Sequence, residues 1–171
     1  KITVKNVTRP PVIDAIADQT VDETKYLQFR VKGSDPDKED ADKLFITAAN
    51  LPQGAAVEDQ GSLLFTWTPT FEQSGIYKVK FTITDPGKLT GTKEVTITVN
   101  NVNRLPALTV IPPMTGDEGK PLSVVVPAAT DPDKEDVGKL VYSAEGLPEG
   151  AKFDAASRTI TWTPTNDQSG N

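Results

Sequence analysis

The side chains best suited to chemistry in this 171-residue sequence are its 24 carboxylates, because it contains neither histidine nor cysteine. That absence removes the imidazole base, the Ser-His-Asp arrangement, thiol catalysis and thiolate or imidazole zinc sites. Paired acids could still cleave a glycosidic bond. Yet the most acidic stretch, Asp35-Pro36-Asp37-Lys38-Glu39-Asp40, recurs intact as Asp131-Pro132-Asp133-Lys134-Glu135-Asp136. A single active site would break that symmetry, whereas a turn whose Asp side chains bond local backbone would not. The tryptophans are also duplicated, in Thr66-Trp67-Thr68-Pro69-Thr70 and Thr161-Trp162-Thr163-Pro164-Thr165. An exposed indole could stack on a sugar ring. Trp67, however, shares strand parity with Phe65, which predicts that both indoles are core side chains.

The elements that carry these residues repeat with them. Asn6-Val7-Thr8-Arg9-Pro10-Pro11 returns as Asn101-Val102-Asn103-Arg104-Leu105-Pro106, and Leu51-Pro52-Gln53-Gly54-Ala55 as Leu147-Pro148-Glu149-Gly150-Ala151, at offsets of 95 to 96 residues. Gln73-Ser74-Gly75 likewise returns as Gln168-Ser169-Gly170. A constant offset across separate landmarks marks one structural unit used repeatedly. Leu27, Phe29 and Val31 alternate with Gln28, Arg30 and Lys32, and Leu122, Val124 and Val126 hold the same places in the next copy. Lys43 to Thr47 supplies Leu44 and Phe45 for another strand, Ser62 to Thr68 reads as the next, and Ile76 to Thr84 alternates most clearly. After Asp85-Pro86-Gly87, Val95, Ile97 and Val99 complete a hairpin. About seven short strands per repeat predict an all-β chain of tandem immunoglobulin-like β-sandwiches.

The expected division is residues 1–8 as the last strand of a preceding module or a linker, 9–103 as a complete sandwich and 104–171 as a second. The second copy stops just after Gly170, where the first is about to form its strongest strand, so it is expected to lack its last two strands. That predicts a slice from a longer array. The alternative is completion by another chain through strand addition, with residues 1–7 as a donor of one strand. The net charge of −6, with lysines scattered among acids, argues against nucleic acid. No apolar run approaches the roughly 18 residues of a membrane-spanning helix, so direct membrane insertion is not expected. Asn6-Val7-Thr8 fits the glycosylation acceptor pattern.

Taken together, the Asn-Val-Asn-Arg-x-Pro joint, an early Glu (Glu23, Glu118), Asp-Pro-Asp, Leu-Pro-x-Gly-Ala and Trp-Thr-Pro-Thr with Gln-Ser-Gly resemble the cadherin-like and immunoglobulin-like repeats of bacterial and archaeal surface proteins. The resemblance implies calcium between consecutive modules, held by six to eight oxygens. Carried over by position, the junction after the complete module would draw on Glu23, Glu72, Asn101, Asn103, Asp131 and Asp133. The preceding junction would use Asn6, Asp35, Asp37 and Asp85. The sequence departs from the family pattern where calcium-binding members carry a linker Asp, since it has Arg9 and Arg104 there. A fixed positive charge could neutralise the acids and take the place of an ion.

The resulting expectation is a non-enzymatic stalk or shaft segment of a large secreted or cell-surface protein, stiffened at its junctions by acids or calcium. Its partners would be neighbouring repeats or identical chains. The alternatives are an adhesin module binding a surface glycan or protein, and a filament subunit completed by strand exchange.

Overall fold

The computed structural model describes residues 1–3, 7–59 and 62–170 of the chain. Asn6, the glycosylation acceptor pattern that begins with it, and the middle of the expected N-terminal strand lie outside the described residues. The chain divides into two compact units, Lys1–Val102 and Asn103–Asn171. Among the described residues there is no helix.

The first unit contains β1 (Val12–Ile13), β2 (Gln19–Asp22), β3 (Leu27–Val31), β4 (Gly33–Ser34), β5 (Phe45–Ala49), β6 (Ala56–Asp59), β7 (Leu63–Trp67), β8 (Gly75–Thr84) and β9 (Thr90–Asn100). One sheet runs β2-β9-β8-β5, a second runs β3-β7-β6, and β1 pairs with β4. Alternation sets the inward faces. Val79, Phe81 and Ile83 of β8, with Val95, Ile97 and Val99 of β9, meet Val31, Leu63, Phe65 and Trp67 of the other sheet in one core. Phe29 links the layers: its ring stacks on Phe65 at 4.7 Å and meets Phe81 edge-on at 6.0 Å. This is a β-sandwich.

The strand carrying Leu44 and Phe45 differs from expectation. It starts later, at Phe45, and the Phe45 ring is 59% exposed while Leu44 and Ile46 pack against the core. The register explains the difference, because Ile46 lies opposite Ile83 and Phe45 opposite Thr84 on the outer face.

β1 lies close to the hairpin only because glycine is there. A Cβ at Gly91 would overlap the Pro11 carbonyl oxygen and stand 3.2 Å from Ile83 Cγ2. Gly91→Ala is therefore expected to destabilise the first unit by about 1–3 kcal/mol, read as a lower urea midpoint with an unchanged slope.

The second unit forms β10 (Leu122–Val125), β11 (Lys152–Asp154) and β12 (Thr159–Trp162), in the order β10-β12-β11, with an isolated bridge between Ala107 and Thr130. Its buried residues are Val126, Asp133 and Pro164. Residues 141–145, the counterpart of β5, form no strand, and Val141 is 93% exposed. In the first unit β5 exists by pairing with β8, and the described residues of the second unit contain no counterpart of β8.

Candidate metal centre

The acidic loops are built from the chain upward in the same way in both units. β4 delivers the chain to Asp35, whose Oδ1 accepts the Asp37 N–H at 2.7 Å, a local turn that the intervening proline favours. Asp37 thereby points back toward Arg9. Its Oδ2 accepts the Arg9 backbone N–H at 2.7 Å, and its Oδ1 accepts Nε at 2.9 Å and Nη2 at 2.6 Å. Nη2 also donates to the Pro36 carbonyl at 2.6 Å. In the second unit Asp131 Oδ1 accepts the Asp133 N–H at 2.8 Å. Asp133 accepts the Arg104 N–H at 2.5 Å and Nε at 2.7 Å, and Arg104 Nη2 donates to the Pro132 carbonyl at 2.6 Å. The Asp37 and Asp133 carboxylates are 2% and 0% exposed.

These contacts hold both carboxyls below the ordinary value of 3.8, with the arginine backbone N–H as the largest influence on each. A carboxyl whose folded pKa lies below its unfolded one adds stability that is fully present above pH 3.8 and fades as pH falls through the lower folded value. Acid titration of the urea midpoint is accordingly expected to show the gap between the native sequence and Asp37→Asn closing below about pH 4.

Two other acids of the first unit are less well satisfied. Asp85, at the end of β8, uses Oδ1 to accept the Leu89 N–H at 2.8 Å, but its Oδ2 is buried without a partner. Asp35 Oδ2 is likewise buried and unpartnered. Burial pushes the Asp40 carboxyl up, Lys43 partly offsets this, and the charges of Asp35, Glu39 and Asp85 push it further. Buried carboxylate oxygens without a partner are short of positive charge, which a hard cation would supply. In the second unit Asp131, Asp133 and Asp136 each place one oxygen within 4.8 Å of the others.

A sequence profile described as Bacterial Ig domain matches residues 8–98, just over half the chain. The chain belongs to the bacterial Ig domain family. A second profile, described as "Putative Ig domain", matches residues 105–171. Among solved structures, repeats 21 to 23 of human CDH23 superpose with a TM-score of 0.56 at 16% identity, over 93% of this chain and 55% of that one. Repeats 1 to 3 of Protocadherin Gamma C5 superpose with a TM-score of 0.57 at 19% identity, over 95% and 60%. At such identities the likeness is one of fold. The sialic acid binding region of a Streptococcus sanguinis adhesin is also similar, with a TM-score of 0.48, 12% identity and coverage of 62% and 34%. The chain thus spans about a third to three fifths of the length of these structures. No curated protein sequence matches it.

Within this bacterial Ig chain the expected ligands meet different fates. Asp35, Asp37 and Asp85 lie in the first unit, where Asp35 and Asp85 bear on the same neighbour, Asp40, and Asp37 is occupied by Arg9. Glu23 is fully buried and fully engaged. Its Oε1 accepts the Ser74 N–H at 3.0 Å and its Oε2 the Val102 N–H at 2.9 Å, tying the start of β8 to the end of β9. Glu72 lines a cavity of about 430 Å³ with Gln53, Gly54, Thr68, Thr70 and Gln73. Asn101 is exposed, and in the second unit Asn103 is exposed beside the Arg104–Asp133 pair. Asp136, which converges with Asp131 and Asp133, is not among the ligands expected from the sequence, and neither is Asp40. The signal was present, since both close the six-residue acidic run that recurs unchanged.

The duplicated Trp and Gln serve the fold. Trp67 Nε1 donates to the Gln53 carbonyl at 3.2 Å, Gln73 Nε2 donates to the same oxygen at 3.0 Å, and Gln73 Oε1 accepts the Thr70 N–H at 2.8 Å. Trp162, Gln168 and the Glu149 carbonyl repeat the arrangement. This clamp fastens the Leu-Pro-x-Gly turn to the end of the Trp strand.

Proposed function

We propose that this chain is a non-enzymatic spacer segment of a secreted or cell-surface protein. Its modules divide near residues 103 and 104, and it spans distance and carries load on behalf of domains elsewhere in the protein. The observation that supports this most is that the recurring motif residues are spent on internal clamps. Arg9 with Asp37, Arg104 with Asp133, and each Trp–Gln pair hold a loop to a strand. Trp67, at 1% exposure, leaves no platform for a sugar ring in the first unit. Modules of this kind add their stabilities along an array. Single-molecule pulling of a concatenated array of residues 9–103 is expected to give evenly spaced unfolding events, each releasing about 30 nm of chain. Cleavage of a polysaccharide by the purified chain, lost with Asp85→Asn, would refute the reading.

Calcium enters this proposal through the first unit. Asp35 and Asp85 would offer the ion their two unpartnered buried oxygens. The affinity expected of an extracellular module is on the order of 0.1–1 mM. At ten times the dissociation constant such an ion adds about 1.4 kcal/mol, a rise in Tm of about 5–10 °C for a unit of this size. Calorimetry with millimolar calcium and with chelator checks this, and Asp85→Asn should abolish the difference.

A further inference from the structure

We propose that Arg9 and Arg104 are built-in counter-cations. Each fills, inside its own unit, the place beside the second aspartate of Asp-Pro-Asp that a divalent ion would otherwise take, so that Asp37 and Asp133 secure their modules without metal. Both oxygens of each carboxylate are already used. One accepts the arginine backbone N–H, and the other accepts the guanidinium. A calcium ion must come within about 2.3–2.6 Å of a ligand oxygen. The guanidinium nitrogens stand at 2.6 and 2.9 Å in the first unit and 2.7 Å in the second. At Asp37 Oδ1, which accepts two N–H groups, an ion could enter only by displacing one of them, and at the other oxygens it would settle next to a fixed positive charge. The third anchor, from Nη2 to the proline carbonyl that precedes the aspartate, recurs at 2.6 Å in both units. Its recurrence in both compact units makes the clamp a feature of the module rather than a chance surface pair. The planar fork is essential to this geometry, since Nε and Nη2 bind different acceptors at once; a lysine ammonium on its flexible stem cannot reproduce it.

The assignment also separates the acids by role. Asp37 and Asp133 are closed to metal, while the unpartnered oxygens of Asp35 and Asp85 remain open to it. It does not depend on an ion binding at that open site.

The test is calorimetric titration of the full chain with calcium, together with thermal melts in chelator. Asp37→Asn and Asp133→Asn are expected to leave the calcium stoichiometry and affinity of the native chain unchanged. Arg9→Gln and Arg104→Gln are expected to melt several degrees lower in chelator and to recover with calcium. In the second unit the freed Asp133, with Asp131 and Asp136 already converging, then takes an ion that the native chain does not. Arg104→Lys should share the loss of stability in chelator despite keeping the charge. A tenfold weakening of calcium binding in Asp37→Asn or Asp133→Asn would overturn the assignment, as would arginine variants that melt with the native chain. If the native chain takes no calcium at all, the reading of Asp35 and Asp85 as ligands fails and this assignment is decided by the chelator melts alone. Should the glutamine variants not fold in chelator, the lysine variants decide: a melt equal to native rejects the clamp, and a lower one sustains it.

Discussion

Replacing Trp67 by alanine is expected to destabilise the first unit by about 3–5 kcal/mol, a large part of the roughly 5–15 kcal/mol that holds a typical domain folded. The indole is 1% exposed, packs edge-on against Tyr77 at 4.9 Å and donates Nε1 to the Gln53 carbonyl. Its removal opens a cavity between β7 and β8 and strips one donor from the turn clamp. The Gln53 carbonyl keeps its bond from Gln73, so the dominant loss is packing. Trp67→Phe should retain most of the buried ring and cost about 1–2 kcal/mol. Trp162→Ala offers the internal contrast. Its indole makes the same bond to Glu149 but is only half-buried, and the expected cost is below about 2 kcal/mol. Urea unfolding followed by circular dichroism measures all three. Equal losses at Trp67 and Trp162 would contradict the burial argument.

Glu23→Ala should cost a comparable amount for a different reason. The side chain is fully buried and satisfies the backbone N–H groups of Ser74 and Val102, 51 and 79 residues away in sequence. Removing it takes the carboxylate acceptor from two part-buried donors, each loss costing about 1–3 kcal/mol, for a total on the order of 3–5 kcal/mol with the cavity included. Glu23→Gln discriminates between charge and hydrogen bonding. A glutamine can accept one of the two N–H groups but turns its own donor toward the other, so it should recover about half the loss. Full recovery would mean that the second N–H finds another acceptor. Amide exchange at Ser74 and Val102 provides a direct readout, because both N–H groups should lose protection in Glu23→Ala and one of them in Glu23→Gln.

Much of the fold is legible in residue order. The alternation of Val79, Phe81 and Ile83 with Lys78, Lys80 and Thr82 assigns the faces of β8 without coordinates, and Phe65 with Trp67 does the same for β7. Side-chain period and strand pleat are the same number, so pattern transfers directly to burial. Phe45 shows where this fails. Leu44, Phe45 and Ile46 are consecutive apolar residues, and composition does not say which two face inward; the pairing of Ile46 with Ile83 does. The counterpart of β5 in the second unit fails for a related reason. A strand exists only through its neighbour, and local sequence does not carry the neighbour with it.

The candidate site divides along the same line. Residue order by itself determined that the chain is a repeat of β modules and that its chemistry rests on carboxylates, because both are matters of residue type and spacing; that Arg9 and Arg104 stand where an acid would be expected is implied by the family resemblance. Only the tertiary structure decided what each carboxylate does. Glu23 and Asp37, both proposed ligands by position, have their oxygens taken by backbone and guanidinium donors, whereas Asp35 and Asp85 retain buried oxygens with no partner. The donors that make this difference come from Ser74, Val102 and Arg9, brought in from up to 79 residues away. A hydrogen bond depends on the distance between atoms in the folded chain, and sequence separation does not encode it.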